Sequence, residues 1–384
     1  MSASRLRRIR QSASPTATAT DSAATQSRRC IPSGDYETIL KTGGLLTLFP
    51  KVLTKFLFAV LFLGSAVLAE EGFFYLLNLK LASQNRGAFL AYEPTNAFTT
   101  NGSGLISLQP DAHGSVYLQK NGDRLFAHKY TTDHFGMRNS IPEGKNGNVA
   151  AVFLGGSDVF GAGVEDGETL PSAFCQIDKN WRCLNLGVPG IAAHIILRQL
   201  ELGTFPALAL GPSPTFLYII IPEHVRRAVG SLMHLRYQPG SPYYDLRNDK
   251  VQFLGTFVSE GASLRLRFYR LLTYLPSIRY LQEFKGQFDL PIRMRPEQLK
   301  TFAMITAQMK LELARRWPGG KFLAVVLERY GEHNGKEIAS ALQKENITTL
   351  DLSDLSYENL GYDQHPSANG YRQIAKQIQG YLEK

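Results

Sequence analysis

Residues 150–161 read Ala150-Ala151-Val152-Phe153-Leu154-Gly155-Gly156-Ser157-Asp158-Val159-Phe160-Gly161. An uninterrupted apolar run bounded by glycines is typical of a strand buried inside a parallel sheet. The two glycines let the backbone turn sharply, which places Ser157 beyond the carboxyl end of that strand. Open α/β sheets bind their ligands at this edge. A strand followed by an ordinary small-residue turn is the alternative interpretation of the same stretch.

A second polar segment lies near the other end of the chain, just before the last predicted helix. It reads Tyr362-Asp363-Gln364-His365-Pro366-Ser367. A serine, a histidine and a carboxylate are the groups that nucleophilic acyl transfer requires. We therefore take Ser157, His365 and Asp363 as candidate catalytic residues.

The composition is that of an ordinary globular protein, with 44% hydrophobic and 20% charged residues among 384. The net charge of +9 is concentrated in residues 1–55, where nine Lys/Arg stand against three acidic residues. This surplus of six leaves +3 for the rest of the chain. The sequence has no zinc-finger spacing, aromatic RNA motif or basic heptad helix, so we expect no nucleic-acid partner. No Cys/His group has metal-ligand spacing, and we expect neither a metal nor a cofactor.

The amino-terminal part predicts a tail and a membrane anchor. Residues 1–50 form a basic tail whose tract Gln11–Ser27 is too polar to fold, which indicates disorder. Residues 51–71 follow as the anchor, with membrane contact over 52–69 and the uncharged run Phe56–Ala69 at its centre. Basic residues before the run and acids after it orient the amino terminus toward the cytoplasm. A cleaved signal peptide and a buried core helix are the alternatives.

The predicted export of the domain determines the redox environment of each cysteine. Cys30 lies in the predicted tail and should stay reduced, whereas Cys175 and Cys183 lie in the exported part. They form either a disulfide, as an oxidising compartment permits, or two small buried hydrophobic side chains.

Residues 72–148 predict a β-rich preface that is separate from the main domain. Strand-like pieces such as Gly114–Leu118 alternate with Gly, Asn, Asp and Pro, and the glycine-rich linker Gly144–Gly147 closes the segment. His134 lies in a segment that either forms a surface turn, the reading that the residues favour, or faces the site.

Residues 149–384 alternate between strands and helices, which predicts a parallel sheet covered on both faces. The predicted strands are Val149–Leu154, Cys183–Leu186, Thr215–Ile221, Phe322–Leu327 and Thr348–Leu352. The predicted helices are Glu168–Ile177, Ala192–Leu202, Glu297–Trp317, Lys336–Gln343 and Asn369–Leu382.

An insertion, residues 228–295, interrupts this alternation. It predicts a hairpin from Tyr243 to Phe257 that turns at Asn248-Asp249, and an aromatic, basic helix from Leu264 to Phe284. An insertion beside a catalytic edge often makes a lid or a substrate wall. Its aromatic and basic side chains suit a carbohydrate or a membrane surface, and burial against the main domain is the simpler account.

The chain resembles the SGNH (GDSL-type) hydrolase family, in particular its membrane-anchored, exported bacterial branch. The resemblance covers roughly residues 130–227 and 321–384 and implies a flavodoxin-like three-layer α/β/α fold. Four blocks in the family's order carry it: Gly155-Gly156-Ser157-Asp158, continuing to Pro171; Leu184-Asn185-Leu186-Gly187-Val188-Pro189-Gly190; the end of the strand Leu217–Ile221; and Asp363-Gln364-His365-Pro366, continuing to Tyr371. Each block alone is weak evidence for the family, and the four together in this order are specific for it.

The resemblance implies a role for each residue. Ser157 is the nucleophile, His365 the general base and Asp363 the residue that orients the imidazole. The N–H groups of Ser157 and Gly187 form the oxyanion hole, and His224 is a candidate third donor; the alternative is that His224, Arg226 and Arg227 only pair with nearby carboxylates. Three departures stand out. Gly156 replaces the family's aspartate, Asp363 precedes His365 by two residues instead of three, and Glu223-His224 stands where the family has Asn-Asp.

These features predict a serine esterase or O-acyltransferase that acts on acyl esters, above all acetyl esters, of exported or cell-surface polysaccharide. We expect a single-pass protein of a bacterial inner membrane with its domain in the periplasm or outside. The competing hypothesis is a catalytically weak module that binds polysaccharide in an envelope assembly complex, with envelope polysaccharide-biosynthesis proteins as partners.

Overall fold

A computed structural model describes residues 43–84, 89–94, 97–100, 105–120, 123–141, 149–284, 288–329, 334–361 and 364–384. Residues 1–42 of the predicted tail, the linker Gly144–Gly147 and the catalytic candidate Asp363 lie outside the described residues. The chain divides into two compact units, Met1–Ser65 and Ala66–Lys384.

One long helix, α1 (Gly43–Gln84), contains the predicted anchor. Its segment Val52–Lys80 is long and apolar enough to cross a membrane, and is therefore a candidate span. The side chains of residues 52–69 are exposed, which contradicts the alternative of a buried core helix. The helix also continues past Glu70-Glu71, so the boundary that we expected at residue 71 falls inside it.

The preface that follows α1 is β-rich as predicted. Its strands are β1 (Phe89–Glu93), β2 (Phe98–Thr100), β3 (Ile106–Leu108), β4 (His113–Lys120) and β5 (Asp123–Thr131). They form two small antiparallel sheets, with orders β1-β4-β5 and β2-β3.

The main domain is built on a five-stranded parallel sheet with the order β12-β11-β8-β6-β7. Numbered along the chain, these strands run 2-1-3-4-5, which is the flavodoxin-like order and confirms the predicted fold class. The strands are β6 (Val149–Gly155), β7 (Trp181–Gly187), β8 (Thr215–Ile220), β11 (Lys321–Leu327) and β12 (Thr349–Leu352).

Helices cover both faces of this sheet because alternate residues of each central strand enter opposite cores. Val152 and Leu154 of β6 join one apolar cluster, and Phe153 joins the other. The covering helices are α3 (Leu170–Ile177), α4 (Ala193–Glu201), α9 (Pro296–Arg316), α10 (Gly335–Lys344) and α11 (Ala368–Leu382). All five predicted helices are present, and the first begins at Leu170 instead of Glu168 because Thr169 caps it.

Cys175 of α3 and Cys183 of β7 form a disulfide. The alternative of two separate buried thiols is therefore wrong.

The insertion contains the predicted hairpin, β9 (Pro242–Arg247) and β10 (Lys250–Thr256). Asn248 and Asp249 both have positive φ, as a two-residue turn of this kind requires. The single predicted helix is wrong, because Pro276 ends one helix and starts another: α7 (Leu264–Leu272) and α8 (Pro276–Phe284). Three further short helices were not predicted: α2 (Ser157–Phe160), α5 (Pro222–Val229) and α6 (Leu232–Tyr237).

Candidate functional site

Ser157 is the first residue of α2 and follows the carboxyl end of β6 directly. It lies where the strand order reverses between the neighbours of β6, which is the position at which doubly wound sheets place their sites. The location predicted from the apolar run is confirmed.

His365 lies beside Ser157 although the two residues are far apart in the chain. The Nε2 atom of His365 and the Oγ atom of Ser157 are 2.7 Å apart, and both residues are largely buried. This distance lies within the range for proton transfer between a nucleophile and a general base.

Arg329, which sequence reasoning missed, is the third group at this pair. Its Nη2 lies 3.3 Å from the same Nε2 atom of His365. A guanidinium can donate but never accept a hydrogen bond. Nε2 must therefore present its lone pair, and the imidazole proton belongs on Nδ1. This tautomer is the one in which His365 can accept the proton of Ser157.

Arg329 also joins two acidic residues from different elements. Its Nη2 donates to both carboxylate oxygens of Asp158 on α2, at 3.1 and 3.0 Å, and its Nη1 donates to Glu223 Oε1 on α5 at 3.0 Å. The guanidinium thus connects the nucleophile helix to the third block of the family pattern. Glu223, Arg329 and Asp158 therefore form one network of ion pairs.

Asp158 is almost fully buried and remains charged within this network. Burial raises the pKa of its carboxyl group, but the charges of Arg329, His365 and His224 and the hydrogen bonds from Arg329 outweigh that effect. Together they lower the pKa of Asp158 to about 2.

His224, the candidate oxyanion donor, lies against Gly156, the residue before Ser157. A Cβ atom added to Gly156 would stand 2.7 Å from His224 Nε2 and 3.2 Å from Arg227 Nη1. A side chain at position 156 therefore has no room while His224 and Arg227 occupy this place. Two departures from the family pattern, Gly156 in the first block and His224 in the third, therefore lie in contact with each other.

The ring of His224 belongs to a group of buried imidazoles, together with His194 and His234. Within the described part of the chain, both ring nitrogens of His194 and His224, and Nε2 of His234, have no hydrogen-bond partner. Burial, assisted by the charge of Arg227, lowers the pKa of His224 and His234 to about 3 each. Burial and the neighbouring His234 lower the pKa of His194 well below its usual value. All three rings are neutral at pH 7.

Gly187, the predicted backbone donor, ends β7 and pairs with Gly155. Its N–H donates to Asn185 Oδ1 at 3.0 Å. In this structure the N–H group is therefore occupied, and it would serve an oxyanion only after this bond opens. The role of Gly187 stays a prediction.

The preface supports the nucleophile turn from behind through Arg138, a second residue that sequence reasoning missed. Arg138 is 1% exposed, and its guanidinium lies 4.7 Å from the ring centre of Phe160. It donates at 2.7 to 3.3 Å to five acceptors, most of them in the segment after Ser157: Asp166 Oδ1 and the carbonyl oxygens of Phe160, Gly161, Val164 and Lys129. Since five N–H groups are all that an arginine has, every donor is satisfied.

The remaining predicted positions are also placed. His134 lies in an exposed turn with its ring against Phe135, as the residues favoured. The insertion reaches the second block, because a Cβ added to Gly190 would meet Gln238 Nε2 at 2.5 Å. Whether it acts as a lid or a wall stays a prediction.

Among the described residues, no group of three His, Cys, Asp or Glu side chains could hold a metal ion.

Arg329 and Arg138 had no signal in the sequence. Each is an isolated arginine outside the four blocks, and its partners come from other elements. Pairing Asp158 with a distant cation could have been expected once its place after β6 was known, but the choice of cation depends on which strands are neighbours.

No protein-family model and no curated protein matches the chain. Among solved structures, it is similar to a member of the lipolytic protein G-D-S-L family from Veillonella parvula (12% identity, TM-score 0.34, covering 62% of this chain and 99% of that one). It is also similar to an acetyl xylan esterase from Butyrivibrio proteoclasticus (12% identity, TM-score 0.35, 70% and 72%). A third is a catalytic mutant of an acetylxylan esterase from Geobacillus stearothermophilus (12% identity, TM-score 0.33, 62% and 96%). Likenesses of this size carry no argument about function, which rests on the four blocks and the site geometry.

Proposed function

We propose that the protein is a serine-dependent esterase or O-acyltransferase in which Ser157 is the nucleophile and His365 the general base. The observation that carries this proposal is the 2.7 Å contact between Ser157 Oγ and His365 Nε2 at the switch point of the sheet. The contact between Arg329 and His365 Nε2, which favours the tautomer with its proton on Nδ1, supports it further.

In the first half-reaction, Ser157 Oγ attacks the carbonyl carbon of an acyl ester while its proton moves to His365 Nε2. The resulting oxyanion is held by the N–H of Ser157 and by His224, with Gly187 joining if its bond to Asn185 opens. The tetrahedral intermediate collapses, and the alcohol leaves with the proton from His365. The resemblance assigns Asp363, which lies outside the described residues, to the Nδ1 proton, and the nearby Asp158 carboxylate offsets the charge of the transient imidazolium.

In the second half-reaction, another hydroxyl compound attacks the acyl-enzyme, again losing its proton to His365. Water releases a carboxylic acid and makes the protein an esterase, whereas a sugar hydroxyl gives a new ester and makes it an O-acyltransferase. Ser157 recovers its proton as the intermediate collapses. Both reactions use the same groups.

The substrate class that we propose is the acyl, above all acetyl, ester of exported or cell-surface polysaccharide. The family resemblance supports it, and we propose with it an exported location on a single span of the inner membrane, for which Val52–Lys80 is the candidate. A disulfide between Cys175 and Cys183 suits an oxidising compartment such as the periplasm.

The test is labelling of the full chain with a fluorophosphonate. We expect the wild-type protein and Ser340→Ala, which removes an exposed serine on α10, to be labelled. Ser157→Ala should not be labelled, and His365→Ala should react far more slowly. Acetylated sugar esters would then be screened as donors, with and without an acceptor sugar. Absence of labelling in a folded wild-type protein would refute the proposal.

The occupied N–H of Gly187 and the loss of the family's third-block asparagine favour a second candidate, a polysaccharide-binding module with weak or no catalysis. It predicts no labelling together with saturable binding of an acetylated polysaccharide. The two candidates therefore separate in the same experiment.

A further inference from the structure

The helix α7 is apolar on two faces, and one of them is exposed. Leu266 and Tyr269 on the inner face belong to the apolar cluster of the insertion. On the outer face, Leu264 is 82% exposed, Phe268 55% and Leu271 67%. Their spacing of four and then three residues places them in one stripe along the helix. The expected burial of these insertion side chains against the main domain is therefore wrong for this face.

The stripe continues beyond the helix with Tyr274, which is 70% exposed. A contiguous apolar patch of this kind is uncommon on a soluble surface and marks a contact with a partner or a membrane.

The next helix, α8, is joined to the second half of α1. The Glu71 carboxylate accepts hydrogen bonds from the N–H and Oγ of Ser277, at 2.9 and 2.5 Å. Asn78 Nδ2 donates to the carbonyl oxygen of Pro276 at 2.8 Å, and the rings of Phe74 and Tyr280 lie 5.3 Å apart. Glu71 thus caps the amino terminus of α8, where a negative charge is favourable.

The level of this junction along α1 is where a bilayer would end. From Val52 to Glu71 the helix rises about 28 Å at ~1.5 Å per residue, close to the ~30 Å of a hydrocarbon core. Glu70 is exposed, and an exposed carboxylate in hydrocarbon is costly, so the boundary lies near it. α7 ends four residues before Pro276, so the carboxyl end of its exposed stripe is close in sequence to the residues that meet α1.

Two positive charges lie beside the apolar stripe of α7 and favour its contact with a membrane. Arg267 and Arg270 are exposed on α7 beside the stripe. Their guanidinium groups donate to main-chain carbonyl oxygens of Ala262 and Val258, respectively, and these contacts do not cancel their charge. Arginines that flank an apolar face are typical of helices that lie in a membrane interface with anionic lipids.

We propose that the outer face of α7, formed by Leu264, Phe268, Leu271 and Tyr274, lies on the surface of an anionic phospholipid bilayer, with Arg267 and Arg270 at the lipid phosphates. The insertion thereby fixes the main domain against the membrane through a second contact in addition to α1. A second copy of the chain could also cover this patch, and the test distinguishes a bilayer from a second copy.

The test places a fluorophore on the stripe of the full chain in nanodiscs that contain phosphatidylglycerol. Cys30→Ser removes the tail thiol, and a single cysteine is introduced as Phe268→Cys or Leu271→Cys and labelled with a polarity-sensitive dye. Leu311→Cys, an exposed apolar position on α9, is the matched control. All three substitutions are at exposed side chains, and fluorophosphonate labelling or circular dichroism checks that the domain is folded.

We expect the dyes at positions 268 and 271 to emit as in an apolar environment and to lose most of their fluorescence when brominated lipids replace ordinary ones. The dye at position 311 should keep its fluorescence. Replacing phosphatidylglycerol by phosphatidylcholine, or introducing Arg267→Gln with Arg270→Gln, should reduce the quenching.

Water-like emission at positions 268 and 271 in nanodiscs would overturn the proposal. Apolar emission without lipid quenching, accompanied by crosslinking between two chains through Leu271→Cys, would also overturn it and assign the face to a second copy. Neither outcome depends on catalytic activity, so the test is independent of the proposed function.

Discussion

Two groups of polar residues meet the nucleophile turn, one directly at Ser157 and Asp158 and one through His224, and they are stabilised in opposite ways. On one side, Asp158, Glu223, Arg329 and His365 form a chain of ion pairs and hydrogen bonds. On the other side, His194, His224 and His234 lie around Arg227 with several nitrogens that have no partner among the described residues. We call the first group the ion-pair network and the second the imidazole cluster.

The difference shows how one site can keep a charged group and a neutral group side by side. In the ion-pair network an arginine keeps a buried carboxylate charged. In the imidazole cluster, burial and a nearby guanidinium keep the rings neutral. The two groups should therefore respond differently to removal of a side chain and to pH.

The largest expected effect comes from Arg329→Ala. It leaves the buried carboxylate of Asp158 without its counter-ion, so the free energy of unfolding should fall by about 3–5 kcal/mol. Chemical denaturation in detergent measures this loss. The double variant Asp158→Asn with Arg329→Ala should recover much of it, because the fully buried side chain at position 158 then carries no charge. A single-variant loss below about 1 kcal/mol, the range of an exposed pair, would show that the network is not structural.

His224→Ala tests whether the imidazole cluster contributes to catalysis. If His224 donates to the oxyanion, kcat should fall by about 10²–10³, equivalent to roughly 3–4 kcal/mol. His224→Gln keeps an N–H donor and should retain more activity. His234→Gln is the control, since its ring packs against Phe257 and His194, away from the nucleophile turn. Equal rates for wild type and His224→Ala would remove His224 from the oxyanion hole.

The pH dependence of stability separates the two groups. His224 and His234 have pKa values of about 3 in the folded chain and about 6.5 when unfolded, so acid favours unfolding from pH 6.5 downward. Each should contribute a slope of about 1.4 kcal/mol per pH unit between pH 6 and pH 4. The Asp158 carboxyl, with a pKa of about 2, contributes stability that is fully present above pH 4 and is lost as the pH falls through 2.

Denaturation of wild type and His234→Leu at a series of pH values checks this prediction. The variant should show a slope smaller by the contribution of one histidine between pH 6 and pH 4, and an unchanged loss below pH 3. An identical slope in both proteins would mean that His234 is not held neutral by the fold.

The smallest expected effect concerns the place where the imidazole cluster touches the nucleophile turn. Gly156→Ala inserts a methyl group against His224 Nε2, and overpacking of this kind costs about 1–3 kcal/mol. Thermal unfolding should show the loss in Gly156→Ala and partial recovery in Gly156→Ala with His224→Ala. Absence of any recovery in the double variant would show that the two positions are not coupled.

The elements that were predicted well share a local cause. Three strands of the main sheet, β6, β8 and β11, are nearly continuous apolar runs, and the hairpin turn carries Asn248-Asp249, so these patterns need no knowledge of the rest of the chain. The helix predicted over Leu264–Phe284 failed because its apolar pattern continued through Pro276, where the backbone cannot. The exposed apolar face of α7 could not be predicted either. The helix is apolar on two faces, and its sequence does not tell which face packs against the domain.

The sequence by itself determined the strand that ends at Gly155, the position of Ser157 beyond its carboxyl edge, the apolar span of α1 and the candidacy of His365. Each of these depends on the order of residues along a short stretch. The tertiary structure alone decided that Arg329 meets Asp158, Glu223 and His365, that Arg138 holds the turn after Ser157, and that His224 fills the space above Gly156. These contacts join residues that are distant in the chain, and which of them meet depends on the order of strands in the sheet.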